Sequence, residues 1–198
     1  MALDPPRPLA AAQGAGAAER LAHRVLTVGL AAAIVALSAQ VAVPLPTSPV
    51  PMTLQPLAVI VIGALLGPAS GAAALVVYLI AGASGLPVFS AGRAGAIWLI
   101  GPTGGYLLAF PVAAAVVGAI TVRSARAGRA GVLRLLAGLA AGIAVIHAGG
   151  VAHLALIGGD PATAFRTGFV PFLTGDLIKL GLAAAIVLLT RPSLRSRL

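Results

Sequence analysis

Hydrophobic positions dominate this 198-residue chain in long unbroken runs, and polar positions gather in the short stretches between them. Residues 21–43 form the first run, which predicts helix one. A Pro-rich polar loop, PLPTSPVPMTLQP, follows over residues 44–56. The next run, 57–82, is interrupted by Gly67-Pro68, a strong helix breaker, and is read as two short helices over 57–66 and 69–82. A long loop over 83–102 holds GLPVFSAGRAG. Helix four is expected over 103–121, and a basic loop with Arg123, Arg126 and Arg129 leads to helix five over 132–157, with Arg134 near its start. GGDPATAFR reads as a short loop before helix six, which ends at Thr190.

Runs of this length suit a bilayer, because about 20 apolar residues at ~1.5 Å each span the hydrocarbon core. Composition agrees: 60% of residues are hydrophobic and 9% charged, against about 25% charged in soluble domains. A membrane β-barrel would show short alternating segments. Runs rich in Ala, Leu, Val and Gly point instead to an all-α integral membrane bundle. Residues 1–20 are expected to be a disordered tail, 21–190 the membrane domain and 191–198 a basic tail.

Charge changes the picture by settling the count of crossings. Lys and Arg favour the cytoplasmic side of a membrane. With six crossings and a cytoplasmic N-terminus, Arg7, Arg20, Arg24, Arg123, Arg126, Arg129, Arg134, Arg191, Arg195 and Arg197 lie inside, and only Arg93 and Arg166 outside. Five crossings would place five basic residues inside and seven outside. Six crossings are therefore expected, both termini cytoplasmic, with the two short helices as a partly re-entrant pair. The net charge of +9 is then topology rather than a nucleic-acid surface.

The chemistry concentrates in Asp176 and Lys179, which sit in the last apolar run, residues 167–190. A charge at membrane depth costs roughly 2.5–3.5 kcal/mol on insertion scales. Three residues apart on a helix, the two share a face. They read either as a structural ion pair or as a site for a polar ligand. Buried pairs rarely add net stability, which favours the site. The Pro-, Gly- and Thr-rich loops face the same outer vestibule and suggest capture of a solute from outside.

Several residue types are absent. There is no cysteine, hence no disulfide or thiolate metal site. No GxxxxGK[ST] stretch cradles ATP, so any ATPase must be another chain. His147 and His153 are six apart, on different helix faces, unlike an i,i+4 metal pair. They suit hydrogen bonding across helices, and no metal or cofactor is expected.

Four segments carry a resemblance: VPMTLQPLAV at 50–59, GLPVF at 85–89, GPTGGYL at 101–107 and PFLTGDLIK at 171–179. Together and in this order they resemble the BioY family, the biotin-specific membrane subunits of energy-coupling factor transporters. The resemblance implies a six-helix subunit of the bacterial plasma membrane that binds biotin from outside. It implies as partners one transmembrane coupling protein and two ATPases, with no enzymatic activity in this chain. It implies a site built on Asp176 and Lys179, with Gln55, Arg93, Gly101 and Tyr106 completing it.

The residues suit biotin chemically. Ionised Asp176 accepts from ureido N–H groups, Lys179 donates to a ligand oxygen, and Arg93 can meet the carboxylate or remain a solvated loop charge. Gln55 and Thr53 offer neutral donors and acceptors beside a loop suited to act as a lid. The glycines of GPTGGY allow close backbone approach or tight helix packing. Tyr106 and Trp98 stack on the thiophane ring or sit at the membrane interface, and Tyr78, followed by Gly82, is a further match. Helix one holds the small-xxx-small pairs Gly29 with Ala33 and Ala32 with Ala36. The family docks its coupling protein on such a face, so Ala32 and Ala36 are expected to do so here. Alternatives are a subunit for a thiamine- or riboflavin-like vitamin, against which the 4% aromatic content argues, a small intramembrane enzyme using Asp176 and Lys179, and a membrane scaffold.

Overall fold

A computed structural model describes residues 9–122 and 128–190. Arg7, Arg123, Arg126 and the basic tail 191–198 lie outside the described residues. The fold is all-helical apart from one small ribbon. Its elements are α1 (Leu9–Gln40), β1 (Ala42–Val43), β2 (Met52–Thr53), α2 (Gln55–Ala83), α3 (Ile97–Ile100), α4 (Gly104–Val122), α5 (Arg129–Gly158), α6 (Pro161–Gly168) and α7 (Leu173–Thr190). Among the described residues, five helical segments are long and apolar enough to cross a membrane: α1 from Ala18, α2, α4, α5 and the stretch from Pro161 to Thr190.

These helices are apolar around most of their circumference, so large side chains also point outward. Leu21, Leu26, Leu30 and Leu37 on α1 and Leu177, Ile178 and Leu189 on α7 are all exposed. In a bilayer this surface meets lipid, and lipid tails are as apolar as leucine. Association between the helices therefore depends on close fit rather than on removing apolar surface from water.

The α2 segment shows such fit. Gly67 adopts φ 79° and ψ 179°, a backbone state that side chains disfavour, and Pro68 follows it with no N–H to continue the ladder. The chain turns back there. A Cβ on Gly71 would lie 3.2 Å from the Cα of Gly63, eight positions earlier, whereas a straight helix separates such residues by about 12 Å. The two halves, read from the sequence as separate short helices, form an antiparallel hairpin. Its tip reaches α4, where Gly118 leaves room for the backbone of Gly67 and Pro68. Gly63 packs against the α4 backbone: a Cβ there would stand 2.6 Å from the Ala114 carbonyl oxygen.

Four local expectations change. The first helix begins at Leu9 rather than near residue 21, because the Ala-rich stretch before it favours helix. It ends at Gln40, and the Pro-rich loop is closed by an antiparallel ribbon pairing Ala42 with Thr53 and Val43 with Met52. GGDPATAFR is not a plain loop. Asp160 caps α6 by accepting from the backbone N–H groups of Ala162 and Thr163, and Pro161 occupies the first turn. The side-chain hydrogen bond from Thr163, then these two backbone donors, hold the exposed Asp160 carboxyl below its ordinary range. Finally, a 3₁₀ turn over Val170–Phe172 interrupts the last run, so α7 begins only at Leu173 and Asp176 stands in its first turn.

Candidate functional site

α2, α4, α5 and α7, the ribbon and the segment between α2 and α3 surround one cavity with some 610 Å³ of space between protein atoms, including the part open to solvent. The Pro-rich loop contributes Val50 and Pro51, β2 contributes Thr53 and α2 contributes Gln55. α4 contributes Tyr106 and Phe110, α5 Ile146 and His147, and α7 Asp176 and Lys179.

The α7 pair is as buried as the sequence implied. Asp176 is 5% exposed and Lys179 4%. Lys179 Nζ donates to Asp176 Oδ1 at 3.0 Å, one helical turn away. The other carboxylate oxygen, Oδ2, lies 2.5 Å from His147 Nε2 on α5. Two helices thus hold the two oxygens of one acid. An ionised carboxylate only accepts hydrogen bonds, so Nε2 carries a proton toward Asp176. The His147 ring is enclosed by aromatic groups: Phe169 at 5.0 Å, Phe172 at 5.9 Å and Tyr106 at 6.1 Å between centroids.

A second, uncharged polar cluster also borders the cavity. Gln55, 3% exposed, donates from Nε2 to the Tyr78 hydroxyl at 2.7 Å, and its Oε1 accepts from Thr53 Oγ1 at 3.2 Å. Tyr78 packs edge-on against Phe89, with centroids 5.6 Å apart, and Phe89 fills the space Gly82 leaves open. Tyr106 donates its hydroxyl to the Gly168 carbonyl at 2.6 Å, and its ring lies against Gly150 where any side chain would collide. It forms a fixed wall of the cavity. Arg93 sits on the segment between α2 and α3 with its guanidinium carbon 4.4 Å from the Trp98 ring centroid, a cation–π contact.

Of the residues singled out from the sequence, Asp176, Lys179, Gln55, Arg93 and Tyr106 line this cavity together, with Thr53 and Trp98. Gly101 does not. Its carbonyl instead receives His153 Nε2 at 3.1 Å, as does that of Ile100, which ties the end of α3 to α5. The docking pair is also placed differently. Ala32 is 7% exposed and packed in the core, with Ala36 against it, because this face of α1 meets α2. Gly29 and Ala33, the other small pair on α1, are exposed.

His147 belongs to the site, and its bond to Asp176 on α7 is a hydrogen bond across helices of the kind the sequence suggested. The signal lay in register: Ile143, His147, Gly150 and Leu154 repeat at helical spacing and are all buried. Ser90, which lines the cavity with its Oγ buried and without a hydrogen-bond partner among the described residues, and Phe172 were not singled out.

Comparison with known proteins agrees with this architecture. A crystal structure of the S-component for biotin from an ECF-type ABC transporter superposes with a TM-score of 0.77 at 24% identity, over 88% of this chain and 93% of that one. A protein of Thermotoga maritima named biotin transporter BioY is 38% identical over 166 residues, covering 84% of this chain and 94% of its own length. Proteins of the same name from Rhizobium etli and Rhodobacter capsulatus are 37% and 38% identical, over 82% and 86% of this chain and 89% and 96% of their own lengths. The sequence profile of the BioY family matches residues 11–196, and on these grounds this multi-pass membrane chain belongs to the BioY family.

Proposed function

We propose that this chain captures biotin from the outer side of the bacterial plasma membrane and passes it inward with an energy-coupling module of one transmembrane coupling protein and two ATPases. The observation that carries the reading is the buried Asp176, clamped by Lys179 and His147 in the wall of the cavity. Each carboxylate oxygen has about two acceptor sites, so Asp176 retains capacity for ureido N–H donors. Lys179, with three donors and one of them on Asp176, can reach a ligand oxygen as well. Phe110, Phe172 and Ile146 offer apolar surface to a thiophane ring, and Arg93 supplies a cation for the valerate carboxylate. The relatives named above are transporters, and the roles taken by these residues are binding roles rather than catalytic ones.

The same proposal includes six crossings with both termini in the cytoplasm. The hairpin in α2 supports that count, because each half is a separate short passage. The tails 1–20 and 191–198 are cytoplasmic in this arrangement, and the domain between them carries the capture function. Because Ala32 faces the core, the coupling protein needs another surface of the chain.

Calorimetric titration of biotin into detergent-purified protein, stripped of copurified ligand, tests the reading. One-to-one binding that Asp176→Asn weakens at least tenfold is expected. Folded protein that takes up no biotin would overturn it.

A further inference from the structure

We propose that Ser90 is a ligand-binding residue whose hydroxyl donates to the carboxylate that Arg93 meets, so that the two together select an ionised acid at that end of the ligand. The proposal rests on the biotin reading of the cavity and adds a residue to it.

Hydrogen-bond satisfaction carries the first step. Buried polar groups in folded proteins are nearly all paired, and each exception asks for a reason. Among the described residues, two serine or threonine side chains are buried, Ser90 and Thr121. Thr121 lies within α4, away from the cavity, and returns its hydroxyl proton to the Val117 carbonyl at 2.8 Å, a usual resort of a helical threonine. Ser90 stands instead on a 3₁₀ turn over Ser90–Gly92, and its Oγ has no partner among the described residues. A hydroxyl left unpaired in apolar surroundings costs stability. Ser90 differs from Thr121 in lining the cavity, where a bound molecule can supply the missing partner.

The local backbone points to the part of the ligand concerned. Phe89 N–H donates to the Arg93 carbonyl at 2.9 Å, and Gly92 N–H donates to the Phe89 carbonyl at 3.1 Å. Within this closed turn Ala91 has φ 57°, the one positive φ outside glycine among the described residues. Such a conformation persists where the surroundings over-determine it. Here Phe89 pins the turn: it is 2% exposed and fills the space beside Gly82. Ser90 and Arg93 are thereby held on one tight turn, and both line the cavity.

A cation and a hydroxyl on one turn suit an anion. An ionised carboxylate has about four acceptor positions and no donor. Arg93 fills at most two of them in a bidentate pair, which leaves room for the Ser90 O–H. The ureido ring, with donors as well as an acceptor, is matched by Asp176 and Lys179 on α7.

Ser90→Ala tests the proposal through two readouts of opposite sign. Without ligand, the variant no longer buries an unpaired hydroxyl, so its thermal unfolding temperature should equal or exceed that of wild type. Its dissociation constant for biotin should nevertheless rise about tenfold, the scale of a hydrogen bond to a charged group. A biotin analogue whose side chain ends in methyl instead of carboxylate, measured by competition, should bind variant and wild type within about twofold of each other. A variant that melts well below wild type makes Ser90 a packing residue and overturns the proposal. Unchanged biotin affinity, or an equal loss for biotin and the analogue, overturns it too and leaves the biotin reading standing. Folded wild type that takes up no biotin overturns that reading, and the proposal with it.

Discussion

Gln55 and Tyr78 are 23 positions apart in sequence, yet the Gln55 amide donates to the Tyr78 hydroxyl at 2.7 Å. A continuous helix would separate them by about 35 Å. The bond joins the open end of the α2 hairpin, opposite its tip at Gly67, and fixes the amide that lines the cavity. Tyr78→Phe leaves a buried donor without its partner, which costs ~1–3 kcal/mol. We expect a lower melting temperature in detergent and several-fold weaker biotin binding. A variant indistinguishable from wild type in both would show that the hairpin ends are held by other contacts.

The middle of the hairpin tolerates no side chain on its α4 face. Gly63→Ala drives a methyl into the Ala114 carbonyl at 2.6 Å, backbone that cannot rotate aside. Overpacking of this kind costs ~1–3 kcal/mol or more. Gly29→Ala on the exposed face of α1, where nothing lies within 4 Å, is the matched control and should be neutral. Size-exclusion profiles and thermal unfolding of the two variants make the comparison.

Stability and binding separate at the α7 pair. Removing one member of a buried ion pair leaves the other charge uncompensated, at ~3–5 kcal/mol. Asp176→Asn and Lys179→Met should each lower both stability and biotin affinity. The double variant carries no buried unpaired charge on α7, and we expect it to recover much of the stability and none of the affinity. Thermal unfolding alongside calorimetry checks this. Recovery of binding in the double variant would assign the pair a purely structural role.

Local signals made much of this fold legible. Gly67-Pro68 marks the hairpin because both residues oppose helix continuation there, whatever surrounds them. The Asp160-Pro161 pair is equally local, an N-cap and first-turn signature that the surrounding glycines obscured. The placement of Ala32 was not legible. On a helix apolar all round, periodicity does not distinguish the face toward α2 from the face toward lipid. Asp176 and Lys179 stood out because charge is expensive in an apolar run. Histidine carries no such cost when neutral, so His147 gave no comparable warning, and its partner lies 29 positions away on another helix. Gly101 drew notice through its motif, but the cavity is built from its neighbour Thr103 and from Tyr106.

Trp98 is the single tryptophan of the chain, and it lies under Arg93 in the wall of the cavity. If the ligand carboxylate engages Arg93, the cation over the indole is partly neutralised or moved, and the emission of Trp98 must respond. Titration with biotin should therefore change the intrinsic fluorescence saturably, with the midpoint found by calorimetry. Biotin methyl ester, which lacks the anion, should bind more weakly and change the emission less. Arg93→Gln should bring biotin and the ester to similar affinity. If that variant still prefers the free acid as strongly as wild type does, the carboxylate sits elsewhere in the cavity and Arg93 serves only to pack against Trp98.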